Sequence, residues 1–226
     1  QAQATTQPVI YQSHNLFNPY LGYGTFVMPA IIMVIIQQTM LIGIGMIGGT
    51  WREFGLYHKL CPAGRRRMST LPIVTGRALV YASIYVVTCA YVLGVHYRLF
   101  NYPTNGSTWT LVLFLSAYMA ACLALSIAVS TLFRYRENSL LLLLWTSIPL
   151  LMLSGVSYPR EGIPDWLYNF GQIFPSSHGV NGFIRIRTMG ASLQEVFAEI
   201  KALCILTVIY GGLACIGTHL AIDREE

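Results

Sequence analysis

Charged residues are scarce in this sequence, and that scarcity argues against an ordinary soluble domain. Only 10% of the 226 residues are charged and 54% are hydrophobic, whereas soluble domains contain about 25% charged residues. The net charge of +5 does not indicate nucleic-acid binding, because the basic residues cluster beside long apolar runs, as orientation in a bilayer requires. We therefore predict an integral membrane protein whose partner is the lipid bilayer and not a nucleic acid.

The sequence also lacks the patterns that would indicate a bound cofactor or nucleotide. Its five cysteines have no CxxC spacing and four lie inside apolar runs, so neither a metal site nor a disulfide framework is expected. No GxxxxGK[ST] loop is present to cradle phosphates, so we expect no ATP hydrolysis by this chain. The first residues lack the basic start and apolar core of a signal peptide.

Five apolar runs are long enough to predict membrane-spanning helices. The first would extend about 36 Å as a helix, which exceeds a hydrocarbon core of about 30 Å. The predicted fold is therefore all-α, with residues 1–25 as an extracytoplasmic lead-in, 26–222 as one membrane domain and 223–226 as a cytoplasmic tail. The predicted spans are residues 26–49, 78–97, 108–133, 139–155 and 202–222.

The distribution of Lys and Arg predicts the orientation. Residues 51–77 form a short loop with six basic residues and one acid, and short loops rich in Lys and Arg stay in the cytoplasm. With this loop inside, nine basic residues fall on the inner side and five on the outer side of the membrane. Five spans with an inner C-terminus put the N-terminus outside, so we expect an upstream span in the parent protein.

Two amides and two glycines lie within the first predicted span. Gln37 and Gln38 need hydrogen-bond partners at that depth, because an unpaired polar group in hydrocarbon is costly. They either bond to other helices or line a substrate path, and the sequence leaves both interpretations open. Gly45 and Gly49 form a GxxxG pair, which predicts that another helix approaches closely there.

The residues after this span predict a short amphipathic helix. Residues 51–60 mix aromatic and apolar side chains with charged ones, which suits a helix at the membrane interface. Such a helix either anchors the chain or forms a surface on which a cytoplasmic partner pushes. Its candidate functional residues are Trp51, Arg52, Glu53, Phe54, Gly55 and Tyr57.

The segment 156–187 predicts short broken helices in the outer leaflet rather than a sixth span. Three prolines interrupt any long helix, and five glycines between 155 and 182 lower its helix propensity further. Its aromatic residues share one helical face, and Trp favours the headgroup level. We expect the segment to cap the outer mouth of the protein, with Pro159, Pro164, Trp166, Leu167 and Phe170 as the capping residues.

Several short motifs occur in one order along the chain. Asn18-Pro19 precedes the first span, Arg52-Glu53 with Gly55 follows it, and Leu71-Pro72 with Gly76-Arg77 precedes the second. The outer segment contains Ser154-Gly155, Tyr158-Pro159, Ile163-Pro164 and Trp166-Leu167, in a run that continues to Arg185. In this order the motifs resemble those of ABC-2 type permeases, the membrane subunits of bacterial ABC exporters related to multidrug and antibiotic export permeases. Two departures are Phe174-Pro175, where the family has Asn-Pro, and Arg77, where it has Lys.

The resemblance covers nearly the whole chain and implies the C-terminal membrane half of an exporter permease in the bacterial inner membrane. It implies that a separate cytoplasmic ATPase binds ATP and Mg²⁺ and pushes on the helix 51–60, with Arg52 and Glu53 as coupling residues. It also implies a second permease copy or a similar permease, an extracytoplasmic adaptor, and release of substrate past the outer segment, which would act as a gate.

Two other classes of function fit only parts of the sequence. Residues 175–178, PSSH, resemble an element of the membrane phosphatidic acid phosphatases, and His219 with Asp223 has the spacing of their nucleophile element. Their KxxxxxxRP element is missing, and the predicted topology puts His178 outside and Asp223 inside. A passive channel would need a regular series of charges within a span, and no predicted span has one.

Overall fold

The computed structural model of the chain describes residues 23–60, 70–102, 104–155 and 162–224. Every regular element in those ranges is helical. A 3-10 turn, Tyr57–Leu60, follows the first helix, and the second contains a π-helical turn, Tyr91–His96. The helices are α1 (Tyr23–Glu53), α2 (Leu71–Leu99), α3 (Thr108–Ser130), α4 (Glu137–Leu153), α5 (Asp165–Gly171), α6 (Pro175–Arg187) and α7 (Phe197–Asp223).

Helices α1 and α3 form the centre of the bundle. Phe114 and Tyr118 of α3 are fully buried, and the Tyr118 hydroxyl donates a 2.6 Å hydrogen bond to the carbonyl of Met33 in α1. Helices α2 and α7 flank this pair, and only 11% and 17% of the residues in their 18-residue apolar stretches are buried. Apolar surfaces this extensive are unfavourable in water, so they are the surfaces that face hydrocarbon.

Within the described residues, four helices, α1, α2, α3 and α7, are long and apolar enough to cross a bilayer. Helix α4 is apolar but has only 17 residues. Its length of about 26 Å places it at the short limit for a membrane span. The prediction of an all-α membrane protein with about five spans is confirmed. Residues 1–22 lie outside the described part, and α1 already begins within the predicted lead-in 1–25.

The helix ends form two groups at opposite ends of the bundle. At one end, Arg52 donates to the carbonyl of Thr131 at 2.6 Å, and Thr70 donates to that of Cys215 at 3.1 Å. At the other end, the N–H of Asn105 donates to the carbonyl of Arg187 at 3.0 Å. We call these the inner and the outer end, after the orientation that the basic residues predict.

Several helix boundaries differ from the predicted spans. Helix α1 continues to Glu53 rather than ending at residue 49, and α2 begins at Leu71 rather than at residue 78. Pro72 lies in the first turn of α2, where backbone N–H groups have no partner within the helix, so proline is tolerated there. Apolar runs mark only the part of a helix inside the bilayer, so the turns that project beyond it were assigned to loops.

Helices α5 and α6 form a re-entrant pair that enters from the outer end and returns to it. Their apex, residues 172–174, lies level with the middle of α1, because the N–H of Ser176, two residues further on, donates to the side-chain oxygen of Gln37 at 2.7 Å. Gln37 lies about 21 Å along α1 from Tyr23, at 1.5 Å per residue. The prediction of broken helices instead of a continuous span is confirmed for residues 162–187.

Candidate functional site

The inner turn, residues 51–60, is not the separate amphipathic helix that the sequence predicts. Its first three residues form the last turn of α1, and Gly55 ends that helix with a φ of +60°, a conformation that favours glycine. The N–H of Leu56 donates to the carbonyl of Trp51 at 2.7 Å, and the N–H of Gly55 to that of Arg52 at 3.2 Å. These bonds form a Schellman motif, so Gly55 was a helix stop that the prediction overlooked.

One group of side chains anchors the inner turn to the bundle. Tyr57 is fully buried in a cluster with Ala221 and Ile222 of α7. Burial raises the pKa of the Tyr57 phenol, against the opposing charge of Arg77, so the phenol stays neutral. The Trp51 and Tyr57 rings meet edge-on with centroids 6.2 Å apart, and the Arg77 guanidinium lies 5.9 Å from the Trp51 ring centroid.

The remaining residues of the turn differ in exposure, since Arg52 is half-buried whereas Glu53 and Phe54 are exposed. Arg52 points into the bundle, where its Nη1 donates to the carbonyl of Thr131 and ties α1 to the end of α3. Glu53 is exposed, and Phe54 has 65% of its surface accessible. Arg52 and Glu53, paired in the sequence prediction, therefore face different surroundings: one holds the bundle and the other faces the space beyond its inner end.

Gly45 and Gly49 lie against the turn that joins α3 to α4. A methyl group on Gly45 would lie 2.8 Å from the Phe133 ring and 2.9 Å from the Ser139 side chain. A methyl group on Gly49 would lie 2.8 Å from the backbone of Arg136. Both distances are shorter than side chains tolerate, so the close approach of these elements depends on glycine.

The two adjacent amides of α1 contact different helices. Gln37 is fully buried and its oxygen caps the N-terminus of α6, through the N–H of Ser176. The Gln37 amide nitrogen and the Ser176 hydroxyl are also buried, and neither has a hydrogen-bond partner within the described residues. This polar junction lies at the depth of the re-entrant apex.

Gln38 faces the other way, toward a cleft between α1 and α4. The Thr146 hydroxyl donates its single proton to the carbonyl of Leu142 at 2.7 Å, so it can only accept the 3.2 Å bond from the Gln38 amide nitrogen. This fixes the orientation of the Gln38 amide. The cleft has a volume of about 320 Å³, and apart from Gln38, Thr39 and Ser147 its lining is apolar: Ile31, Val34, Ile35, Leu143, Ile148 and Leu151.

Three consecutive carbonyl groups around the re-entrant apex each contact a different side chain. The Ser177 hydroxyl donates to the carbonyl of Gly171 at 2.7 Å, and the Tyr210 hydroxyl donates to that of Ile173 at 2.6 Å. The Nε2 atom of His178 lies 3.0 Å from the carbonyl of Gln172. A carbonyl only accepts hydrogen bonds, so this ring nitrogen carries a proton. These backbone carbonyls thus have hydrogen-bond partners within the protein, as membrane depth requires.

The predicted gate residues lie on or before α5. Trp166 and Phe170 are 72% and 51% exposed, whereas Leu167 and Pro164 line a cavity of about 250 Å³ with residues of α4. Pro159 lies outside the described residues. These two aromatic side chains are therefore open to contact with a neighbouring molecule or with lipid.

The residues of the phosphatase alternative do not come together. His178 bonds to the apex, whereas His219 and Asp223 pair with each other at 3.5 Å near the inner end of α7. His219 lies about 14 Å along α7 from Tyr210, the α7 residue that contacts the apex. The described residues therefore contain no site in which both histidines could act on one phosphate.

A bundle of long apolar helices with a re-entrant pair and an anchored inner turn defines a multi-pass membrane protein. Residues 1–216 match the family model for the ABC-2 family transporter protein. The chain therefore belongs to the ABC-2 transporter family, as the order of its motifs suggested. No solved structure matches the chain.

Two relatives are similar along most of the chain. The chain is 24% identical over 200 residues to the probable multidrug ABC transporter permease YbhR of Escherichia coli K12, covering 88% of this chain and 54% of that protein. It is 24% identical over 201 residues to ABC transporter G family member 20 of Dictyostelium discoideum, covering 87% of this chain and 27% of that protein. The chain thus spans about half or less of the length of these relatives.

Proposed function

We propose that the chain is the membrane domain of a permease subunit in an ABC exporter, driven by a separate cytoplasmic ATPase that holds ATP and Mg²⁺. The inner turn is the observation that carries this proposal. Glu53 and Phe54 are exposed beyond the bundle, while Trp51, Arg52 and Tyr57 fasten the same turn to α7, α2 and α3. A partner that pushed on the exposed residues would therefore displace the helices themselves.

The cleft between α1 and α4 is the proposed substrate path. Its lining is apolar except for Gln38, Thr39 and Ser147, which fits a lipophilic substrate with few polar groups. Gln37 lies on the side of α1 that meets α6, so it contributes to the path by holding the re-entrant apex rather than by lining the cleft. The similarity to a probable multidrug permease agrees with a substrate of this kind.

The exposed aromatic residues of α5 support a second permease copy as a partner. Trp166 and Phe170 would meet their equivalents or the outer leaflet if two copies packed side by side, and the re-entrant pairs would then close the outer mouth. The bacterial inner membrane is the proposed location. An extracytoplasmic adaptor remains an expectation from the family resemblance alone.

The exposed carboxylate of Glu53 provides a test. The full-length protein is co-expressed with the ABC ATPase encoded nearest to its gene, and co-purification, ATP turnover and transport of lipophilic dyes in proteoliposomes are measured. Glu53→Arg is expected to insert normally but to weaken co-purification or to uncouple ATP turnover from transport. Asp165→Arg is the matched charge reversal at the outer end and is expected to co-purify normally. Coupled transport at the parent rate in Glu53→Arg would refute the role of the inner turn.

A further inference from the structure

The inner end of α7 receives contacts from the residues on both sides of the segment 61–69. Tyr57, before the loop, is buried against Ala221 and Ile222, and Thr70, after it, donates to the carbonyl of Cys215 at 3.1 Å. A methyl group on Gly217 would lie 2.2 Å from the Thr131 hydroxyl, so α7 also packs tightly on the end of α3. A displacement of the inner turn would therefore reach α7 directly.

The same helix contacts the re-entrant apex. Tyr210 of α7 donates to the carbonyl of Ile173 at 2.6 Å, and α7 is helical without a break from Phe197 to Asp223. Ala221 and Tyr210 are 11 residues apart, which corresponds to about 16 Å of helix. One helix thus joins the inner turn to the apex of the pair.

The two arms of the re-entrant pair are held differently. Helix α6 packs on α3 through glycines: a methyl group on Gly179 or Gly182 would lie 2.3 Å from the ring of Tyr118 or Phe114. Arg185 and Glu199 also link α6 to the start of α7, at 2.5 Å. Helix α5 packs against α4, where a methyl group on Gly171 would lie 3.2 Å from Leu153, and its Trp166 and Phe170 side chains are exposed. Movement at the apex would consequently displace α5 more readily than α6.

We propose that α7 transmits movement of the inner turn to the re-entrant apex, and that Tyr210 is the positioning residue that completes this connection. The hydroxyl of Tyr210 holds the apex at Ile173, so that a shift of α7 carries the apex and α5 with it and opens the outer mouth. This proposal rests on the proposed function, since the inner turn moves only if a partner acts on it.

The test uses two pairs of spin labels on the full-length protein with its ATPase, in nanodiscs and in a functional background without native cysteines. Lys59→Cys with Tyr135→Cys reports the inner turn, and Asp165→Cys with Met189→Cys reports the outer end of α5. Distances are compared before and after trapping with ATP and vanadate. The variants are Tyr210→Phe, which removes only the hydroxyl, and Ser177→Ala, which removes an apex hydrogen bond that lies within the re-entrant pair. Tyr91→Phe removes a hydroxyl from a lipid-facing tyrosine as the control.

Both distances are expected to change on trapping in the parent, in Ser177→Ala and in Tyr91→Phe. In Tyr210→Phe the inner change is expected to remain and the outer change to be lost, and the preserved inner change shows that the variant is folded and coupled to its ATPase. The proposal is overturned if Tyr210→Phe keeps the outer change, if Ser177→Ala loses it equally, or if the parent shows only the inner change. An absent inner change in the parent would instead refute the proposed function, and the connection with it.

Discussion

The side-chain oxygen of Gln37 accepts a 2.7 Å hydrogen bond from the backbone of Ser176 and thereby joins the middle of α1 to the start of α6. Both residues are fully buried, so water cannot replace either partner. A buried group left without its hydrogen bond retains the cost of its desolvation, whereas an exposed one regains water. The two residues therefore hold the re-entrant pair at its depth.

Gln37→Leu is expected to destabilise the protein, because it leaves the Ser176 N–H buried and unsatisfied. The expected loss is about 1–3 kcal/mol in the free energy of unfolding, measured by titration with SDS in mixed micelles. Thr75→Val is the control, since Thr75 is exposed and its hydroxyl bonds to the carbonyls of Leu71 and Pro72 in its own helix. Equal stability of the two variants would contradict the capping role of Gln37.

Gly179→Ala is expected to weaken the packing of α6 on α3. The added methyl would lie 2.3 Å from the ring of Tyr118, which is fully buried and cannot move aside without strain. Overpacking of this kind costs about 1–3 kcal/mol. Gly212→Ala is the matched control, because nothing lies within 4 Å of its added methyl, and alanine favours a helix over glycine by up to about 1 kcal/mol. The midpoint temperature of thermal unfolding in detergent should fall in Gly179→Ala and rise in Gly212→Ala.

Ser147→Leu is expected to narrow the cleft between α1 and α4 and to impair transport of bulky lipophilic compounds. The substitution fills space beside Gln38 without touching the inner turn, so the apparent KM for transport should rise while ATPase association is unchanged. Ser83→Leu makes the same change on the exposed side of α2 and should leave transport unaltered. If both variants transport such compounds equally well, the cleft is not the substrate path.

Cysteine labelling in intact cells tests the predicted orientation, which depends on nine inner and five outer basic residues. In a background without native cysteines, Gly162→Cys is expected to react with a membrane-impermeant maleimide, and Ser69→Cys only after permeabilisation. The reverse pattern would show that the loop containing Ser69 is outside and would invert the whole arrangement.

Features that depend on neighbouring residues in the sequence were predicted well. The spans follow from apolar runs, and the break between α5 and α6 follows from prolines and glycines, of which Pro175 begins α6. The end of α1 also depends on a single nearby residue, Gly55, although the charged residues beside it suggested a separate helix. In each case the signal lay within a few residues of the element it controls.

Features that depend on distant residues could not be predicted in the same way. The sequence showed that Gln37 and Gln38 need partners, but not that these are Ser176 and Thr146. Arg52 and Glu53 face different surroundings because Arg52 bonds to the carbonyl of Thr131. The packing of α1 against α3 brings that carbonyl near. Contacts of this kind are fixed by the assembled bundle and leave no local pattern.

The apex of the re-entrant pair also constrains the order in which the chain can be assembled in the membrane. The N–H of Ser176, just after the apex, is satisfied by a residue 139 positions earlier, and the apex carbonyl of Ile173 by a hydroxyl 37 positions later. A polar backbone cannot enter hydrocarbon before its partners are in place. We therefore expect the segment to remain at the membrane surface during synthesis until Tyr210 has been translated and α7 inserted, so a ribosome stalled before that point should leave the re-entrant pair unformed.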